Sequence, residues 1–203
     1  MGKVILDISI SLDGFIAGPG DNQKLPLGIG GDAIQSWLFE GNLSSFYNDF
    51  FKLTEINKKV FDGMIRETGA MVVGRNTFNN VNGWEGSHPI EGLPIFVVTH
   101  KKPRSFTNGK STFTFVTEGV DSAIQQAKKA AAGKNVSIGT ASIAQQCINL
   151  QLMDELNLHV APVLLRSGSR LFEGLEKDNI KLKSKQVIDG KSVTHLKYEI
   201  SYE

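Results

Sequence analysis

The sequence predicts an α/β domain built on one mixed, mainly parallel sheet, and three observations carry that expectation. Short β-branched and apolar runs alternate with segments of helical spacing from about residue 70 to residue 164, the rhythm of strands joined by helical crossovers. The chain opens on a strand-like run, "KVILDISISL", at residues 3–12. It closes on two strand-like runs joined by Asp189-Gly190, a strong signal for an antiparallel hairpin. With 203 residues, 40% apolar and 21% charged, one domain spanning 1–203 can bury a substantial core.

Each element has its own signal. In residues 3–12, Asp7, Ser9 and Ser11 fall at alternate positions, and Asp13-Gly14 ends the strand. Residues 18–32 read as a long glycine-rich loop, a type that more often serves function than spacing. Residues 33–68 read as largely helical, with two helices, because Ile34, Trp37 and Leu38, and then Phe50, Leu53, Val60, Phe61, Met64 and Ile65, recur at helical spacing. Strand 70–73 leads into a short helix at 75–80, and strand 94–99 ends in a basic loop. Strand 112–117 feeds a helix at 122–132, with Asp121 as its N-cap and Gly133 as its stop. Strand 135–139 precedes a helix at 141–151, and strand 156–164 follows Asp154-Glu155. A mainly parallel sheet covered on both faces results, with no repeat or linker.

Composition excludes several functions. The net charge is +1, and the only concentrated basic run, His100-Lys101-Lys102 with Arg104, is too short for a nucleic-acid face. A single cysteine, Cys147, rules out an intrachain disulfide and a cysteine-rich zinc site, and its helical spacing with Ile143 and Leu150 marks it as a small buried residue. No apolar run approaches the roughly 20 residues that span a bilayer. The N-terminus enters a strand without a signal-type segment, so the expected location is cytoplasmic, with no membrane partner.

Three strand ends carry suggestive chemistry, since ligands of open α/β sheets sit at the carboxyl ends of strands, against helix N-termini. Gly74-Arg75-Asn76-Thr77 offers a glycine, a planar cation and a hydroxyl. Thr99 closes the next strand, with His100, Lys101 and Lys102 just outside it. Gly139, Thr140, Ala141 and Ser142 are small residues where strand becomes helix, leaving room for a pyrophosphate. Neither a Walker loop nor GxGxxG is present. Together the three supply what a phosphorylated dinucleotide presents.

These stretches resemble the dihydrofolate reductase-like fold, and within it the stand-alone relatives of the reductase domain of RibD, the bacterial riboflavin-biosynthesis enzyme. The resemblance rests on "ISISLDGFIAG", "GAMVVGRNTF" and "PIFVVTHKKP", and on the block from "NVSIGTASIAQQ" through "DELNLHVAPVLLRSGSRLF". It implies a three-layer sandwich and NADPH as hydride donor along the carboxyl edge of the sheet. By resemblance, Gly74 to Thr77 match the turn whose arginine faces the adenosine phosphate. Thr99 and His100 match a Ser-Arg pair, with histidine a departure that shifts the choice of NADPH onto Arg75, Lys101 and Lys102. Gly139 and Thr140 match a Gly-Gly turn, often a cis peptide, that meets the pyrophosphate. Ile16 and Ala17 match backbone near the nicotinamide amide. Homodimers are common among the relatives, so a dimer through the antiparallel end of the sheet is the expectation.

The acceptor side is less legible. Trp37 and Trp84 can wall a planar substrate or pack in the core. Asp13 is a carboxylate near the first strand end, although Asp-Gly also makes a turn through its own backbone; Asp32 and His88 are further candidates for the proton donor, and none is assigned. The zinc deaminase often fused to RibD needs H-x-E with P-C-x-x-C, and both motifs are absent, so no metal is expected. The leading reading is an NADPH-dependent reductase of a small heterocyclic substrate, in riboflavin biosynthesis the ribosylamino-pyrimidine phosphate. The alternatives are reduction of a pterin and a nucleotide-binding module without turnover.

Overall fold

The computed structural model describes residues 2–106, 109–176 and 180–202. Its strands, in chain order, are β1 (Val4–Ser11), β2 (Phe15–Ala17), β3 (Leu43–Ser44), β4 (Lys52–Leu53), β5 (Thr68–Gly74) and β6 (Ile95–Val98). They continue as β7 (Phe113–Val116), β8 (Asn135–Ile138), β9 (Glu155–Ala161), β10 (Ser169–Arg170), β11 (Lys181–Asp189) and β12 (Thr194–Ser201). The helices are α1 (Glu55–Glu67), α2 (Arg75–Asn80), α3 (Val120–Ala130) and α4 (Ala141–Asn149), with 3-10 segments at Gly31–Leu38 and Asn82–Gly86. The main sheet runs β11-β12-β9-β1-β8-β5-β6-β7. From β9 to β7 every pairing is parallel, while β12 pairs antiparallel with β9 and β11 with β12. No described helix is long and apolar enough to cross a membrane.

The pleat sorts the sequence onto two unlike faces. One face carries Val4, Leu6 and Ile10 of β1, Val72 of β5 and Val136 and Ile138 of β8, packed in a single cluster with α3 and α4. Those helices fit because their apolar residues share one side: Val120, Ala123, Ile124 and Ala127 in α3, and Ile143, Ala144, Cys147 and Ile148 in α4. Cys147 is fully buried there, and burial pushes its thiol up to about 12, which leaves it a packing residue. The opposite face holds two smaller clusters. Val73, Phe78, Ile95, Val97 and Phe113 pack under α2, and Trp37, Leu53, Phe61, Ile65 and Val193 pack under α1.

Helix α1 presents Asn57, Phe61 and Ile65 inward at four-residue intervals. The first of these is an amide, fully buried, at the position where the stripe calls for an apolar side chain. Thr54 caps the helix by accepting from Asn57 N at 3.3 Å. The acidic pair before β9 ties that strand to the chain's start. Asp154 accepts from Val4 N at 2.7 Å, and the buried Glu155 pairs with Lys3 and, at 3.0 Å, with Lys197.

Local structure departs from expectation in three places. Residues 33–68 carry one α-helix rather than two. Ile34, Trp37 and Leu38 lie in the 3-10 segment, and the stretch after it forms the short β3–β4 pair. The aromatic spacing there reflects ring packing, with Phe51 4.9 Å from Phe61 and 5.0 Å from Phe50. Asp121 is inside α3 and bonds Gln125, so Gly119 stands at the N-cap and provides no side chain. The Asp189-Gly190 hairpin forms, but through a longer turn in which Gly190 N donates to Val193 O at 2.8 Å and Lys191 takes the positive φ of 72°.

Glycine is needed at 190 for space: a Cβ there would stand 2.4 Å from Asn57 Oδ1 and 2.9 Å from Val193 O. Gly190→Ala is therefore expected to cost about 1–3 kcal/mol through overpacking, read as a lowered midpoint in urea unfolding with an unchanged m-value.

Candidate functional site

Strands β5, β6 and β7 lie side by side and parallel, so their carboxyl ends open on one edge, where a cleft of about 760 Å³ lies. Its lining includes Gly74, Arg75, Asn76 and Thr77 from the first expected strand end, Thr99, His100 and Lys101 from the second, and Ser142 from the third. Lys102, Arg104, Thr117 and Gly119 complete the cationic and hydroxyl-bearing rim. Thr117 and Gly119 escaped the sequence reading because a Thr-Glu-Gly step has no distinctive motif.

Arg75 is held rather than free to swing. Its Nε donates to Asn79 Oδ1 at 2.9 Å, and Nη1 donates to Thr99 Oγ1 at 3.2 Å and to Lys101 O at 2.9 Å. Nη2 has no hydrogen-bond partner among the described residues, so a pre-oriented donor remains for an anion. Thr99 is thus a support for Arg75 as well as a lining residue. Gly74 has an ordinary extended backbone, with φ −82°. It is glycine because a Cβ would meet Ser142 Oγ at 3.1 Å and Thr140 Oγ1 at 3.5 Å.

Thr140 occupies the N-cap of α4 but its hydroxyl accepts from Gly74 N at 3.2 Å, so it makes no capping bond to its own helix. Helices α2 and α3 also start without a side-chain cap, at Gly74 and Gly119. Three helix starts with uncapped first-turn N–H groups therefore meet at one cleft beside Arg75, Lys101, Lys102 and Arg104, an arrangement that favours anions. The Gly139–Thr140 peptide is trans.

Other candidates lie away from this cleft. Gly139, Thr140 and Ala141 support it from behind without lining it. Ile16 and Ala17 form β2, paired with β10, and Ile16 packs on the main core. Asp13 accepts from Ser11 Oγ at 2.6 Å and from the backbone N of Leu165 and Arg166 at 3.1 and 2.7 Å. The Ser11 hydroxyl and those amides hold its carboxyl below the usual range, so it anchors the loop after β9 and is no proton donor. Trp37 is 2% exposed and donates from Nε1 to Ser9 Oγ at 2.9 Å, which makes it buried packing and not an open wall. Trp84 sits in a left-handed turn, φ 48°, stacked on Phe113 and edge-on to His88. It too does not line the cleft. Asp32 is exposed on the 3-10 segment.

Residues 2–196 match the family model described as the RibD C-terminal domain. The chain belongs to the RibD C-terminal domain family. The uncharacterized protein YwjB of Bacillus subtilis (strain 168) is 28% identical over 176 residues, covering 85% of this chain and 84% of YwjB. Among solved structures, a protein of Shewanella sp. PV-4 described as a riboflavin biosynthesis protein aligns over the whole of both chains, with a TM-score of 0.71 and 21% identity. The diaminohydroxyphosphoribosylaminopyrimidine deaminase/5-amino-6-(5-phosphoribosylamino)uracil reductase of Thermotoga maritima aligns with a TM-score of 0.63 and 14% identity, over 98% of this chain and 57% of that one. At those identities the two structures establish the shared fold, which is the dihydrofolate reductase-like α/β architecture.

Two histidines of this RibD-family chain are kept neutral by their surroundings. Burial lowers His88 to about 4, and its Nδ1 accepts from Ile90 N at 3.1 Å. Burial, with His159 beside it, likewise lowers His195 to about 4. His88 is thereby removed as a general acid near neutral pH. A histidine whose folded value lies below its unfolded 6.5 binds fewer protons in the native state, so the stability it contributes is complete above about 6.5 and is lost as pH falls toward 4. The melting temperature is expected to be highest at or above neutral pH and to drop through that window, and His88→Gln should flatten the drop in a pH series of thermal melts.

Proposed function

We propose that this protein is an NADPH-dependent reductase whose cofactor lies in the 760 Å³ cleft at the carboxyl ends of β5, β6 and β7. The observation that carries the reading is the meeting of three uncapped helix starts with a fixed arginine at one cleft. The residues present fit the group. Arg75, through its unengaged Nη2, and the adjoining Lys101 and Lys102 would take the adenosine phosphate. The first-turn N–H groups of α4 at Ser142 and Ile143, which line the cleft, would take the pyrophosphate. His100 stands at the rim to cover the sugar side, and Asn76 and Thr77 offer an amide and a hydroxyl on the first turn of α2. When bound, NADPH supplies a hydride. The protein's own part is to orient that donor by fixed dipoles and to hold the acceptor against it.

Membership of the RibD C-terminal family and the likeness to the Thermotoga maritima reductase support a phosphoribosylamino-pyrimidine, or a similar small heterocycle, as the acceptor. Pterin reduction is less favoured, because α1 turns the amide of Asn57 inward where that chemistry wants a carboxylate, and Asp32, Glu40 and Asp49 are exposed.

NADPH at about 100 times its Kd should stabilise the fold by about 2.7 kcal/mol, seen as a rise in melting temperature; no rise at millimolar NADPH removes the reading. Arg75→Ala should weaken NADPH about ten- to a hundredfold, as expected for loss of a charge-assisted bond, and should leave NADH nearly unchanged. Oxidation of NADPH followed at 340 nm with 5-amino-6-(5-phosphoribosylamino)uracil then separates a reductase from a binding module.

A further inference from the structure

Behind Trp37 runs an unbroken chain of buried polar groups that the cofactor cleft does not use. Asp7 Oδ1 meets His159 Nε2 at 3.0 Å, His159 Nδ1 meets His195 Nδ1 at 2.7 Å, and His195 Nε2 meets Asn57 Oδ1 at 3.1 Å. The register of the sheet builds it. Ser9, His159 and His195 share one rung across β1, β9 and β12, and Asp7, Asn157 and Lys197 share the rung below. Asn157 Nδ2 donates to the second oxygen of Asp7 at 3.1 Å. Both imidazoles are 5% exposed, and apolar side chains at these central positions would serve the fold as well or better.

The chain counts protons. Asn57 is oriented with Nδ2 3.5 Å from Trp37 O and Oδ1 3.1 Å from His195 Nε2; in that orientation Oδ1 accepts a proton from Nε2. Neutral His195 then has only a lone pair at Nδ1, so the proton between the two rings belongs to His159 Nδ1. The remaining contact, His159 Nε2 to the Asp7 carboxyl, needs a proton as well. The chain therefore carries one proton more than a carboxylate and two neutral histidines would, shared between Asp7 and His159. Burial and the neighbouring ring hold His195 low, at about 4, in agreement with its neutral form. The Trp37 ring, 4.9 Å from His159 between centroids, favours positive charge beside it.

A cavity of about 320 Å³ opens onto Asp7, His159 and His195 between α1 and the β9–β12–β11 strands. Lys59 and Glu67 of α1, Lys197 of β12 and Gln186 of β11 give it a mixed-charge rim. Asn157 Oδ1, at its floor, is buried and without a partner among the described residues. The last rung between β1 and β8 pairs Leu6 with Ile138, so Asp7 is the next residue on β1 and Gly139, in the turn that backs the cofactor cleft, the next residue after β8.

From this geometry we infer that the cavity holds the heterocycle to be reduced, and that Asp7 and His159 supply the proton the reduction consumes. The inference rests on the reductase reading above. Reduction of a C=N bond would place on carbon a hydride that NADPH would supply, and on nitrogen a proton from the Asp7–His159 pair, delivered at the Asp7 carboxyl that lines the cavity. That leaves Asp7 ionised and His159 neutral until solvent returns the proton through the cavity mouth.

Histidine side-chain ¹⁵N NMR on the protein without cofactor is the first test. At pH 7, His159 Nδ1 should carry a proton and His195 should carry its only proton on Nε2; a proton on His195 Nδ1 overturns the inference. Titration with 5-amino-6-(5-phosphoribosylamino)uracil should move the His159 and His195 resonances and leave His88 still, and unmoved rings overturn it. His159→Gln should lower turnover of that pyrimidine about a hundredfold or more, the scale of general acid catalysis, while the NADPH-induced rise in melting temperature persists. Should His159→Gln fail to fold, Asp7→Asn is the isosteric replacement, expected to leave His159 with a single ring proton; a charged His159 in Asp7→Asn overturns the inference. Loss of the NADPH-induced rise in the unaltered protein would instead overturn the reductase reading, and the two failures are thus distinguishable.

Discussion

The cleft depends on a single hydrogen bond between two turns far apart in sequence, from Gly74 N to Thr140 Oγ1. It joins the start of α2 to the start of α4 and prevents Thr140 from closing its own helix. A capped α4 would present a satisfied, weakly polar end; the uncapped one keeps its donors outward. The same contact explains why residue 74 is glycine and why residues 140 and 142 are small and hydroxylic. Parallel strands supply the frame, since only strands that run the same way can bring three helix starts to one edge.

The two faces of the sheet divide the labour. The face under α3 and α4 is a conventional apolar core, with Leu6, Val72, Val136 and Ile138 fully buried, each contributing on the order of 1.5–3 kcal/mol by burial. The face under α1 gives up part of that stabilisation to a serine, two histidines, an asparagine and an aspartate in adjacent rungs. Buried polar groups are tolerated only when nearly all are paired, and here three strands and one helix cooperate to pair them. That cost is concentrated in β1 just beyond its last rung with β8, Leu6–Ile138.

Much of the architecture was legible in the sequence because it follows from alternation and periodicity. The order of strands and helices from β5 to β9, the closing hairpin and the grouping of Arg75, Thr99, Lys101 and Ser142 at one edge are all consequences of the βα rhythm. The stretch after Trp37 was misread because aromatic residues packing on one another mimic helical spacing. The role of Asp13 was ambiguous until Leu165 and Arg166 were seen to donate to it. The histidine chain left no sequence signal. His159 and His195 sit singly in strands of mixed polar and apolar residues, and Asn57 looks like an ordinary first-turn residue. Only strand register brings them together.

The C-terminal hairpin also bears on the order in which the molecule is assembled. The partners of the buried chain are separated by 152 residues for Asp7 and His159 and by 138 for Asn57 and His195. Strands β5 to β8, in contrast, join neighbours within one stretch of chain. During synthesis the edge that collects the helix starts can form while the last two strands are still missing, and the polar interior of β1 and β9 must wait, exposed to water, for β12 to cover it. Long-range closures of this kind slow folding. A nascent or truncated chain lacking β12 would therefore have a nearly complete cleft edge beside an open, wet half-sheet.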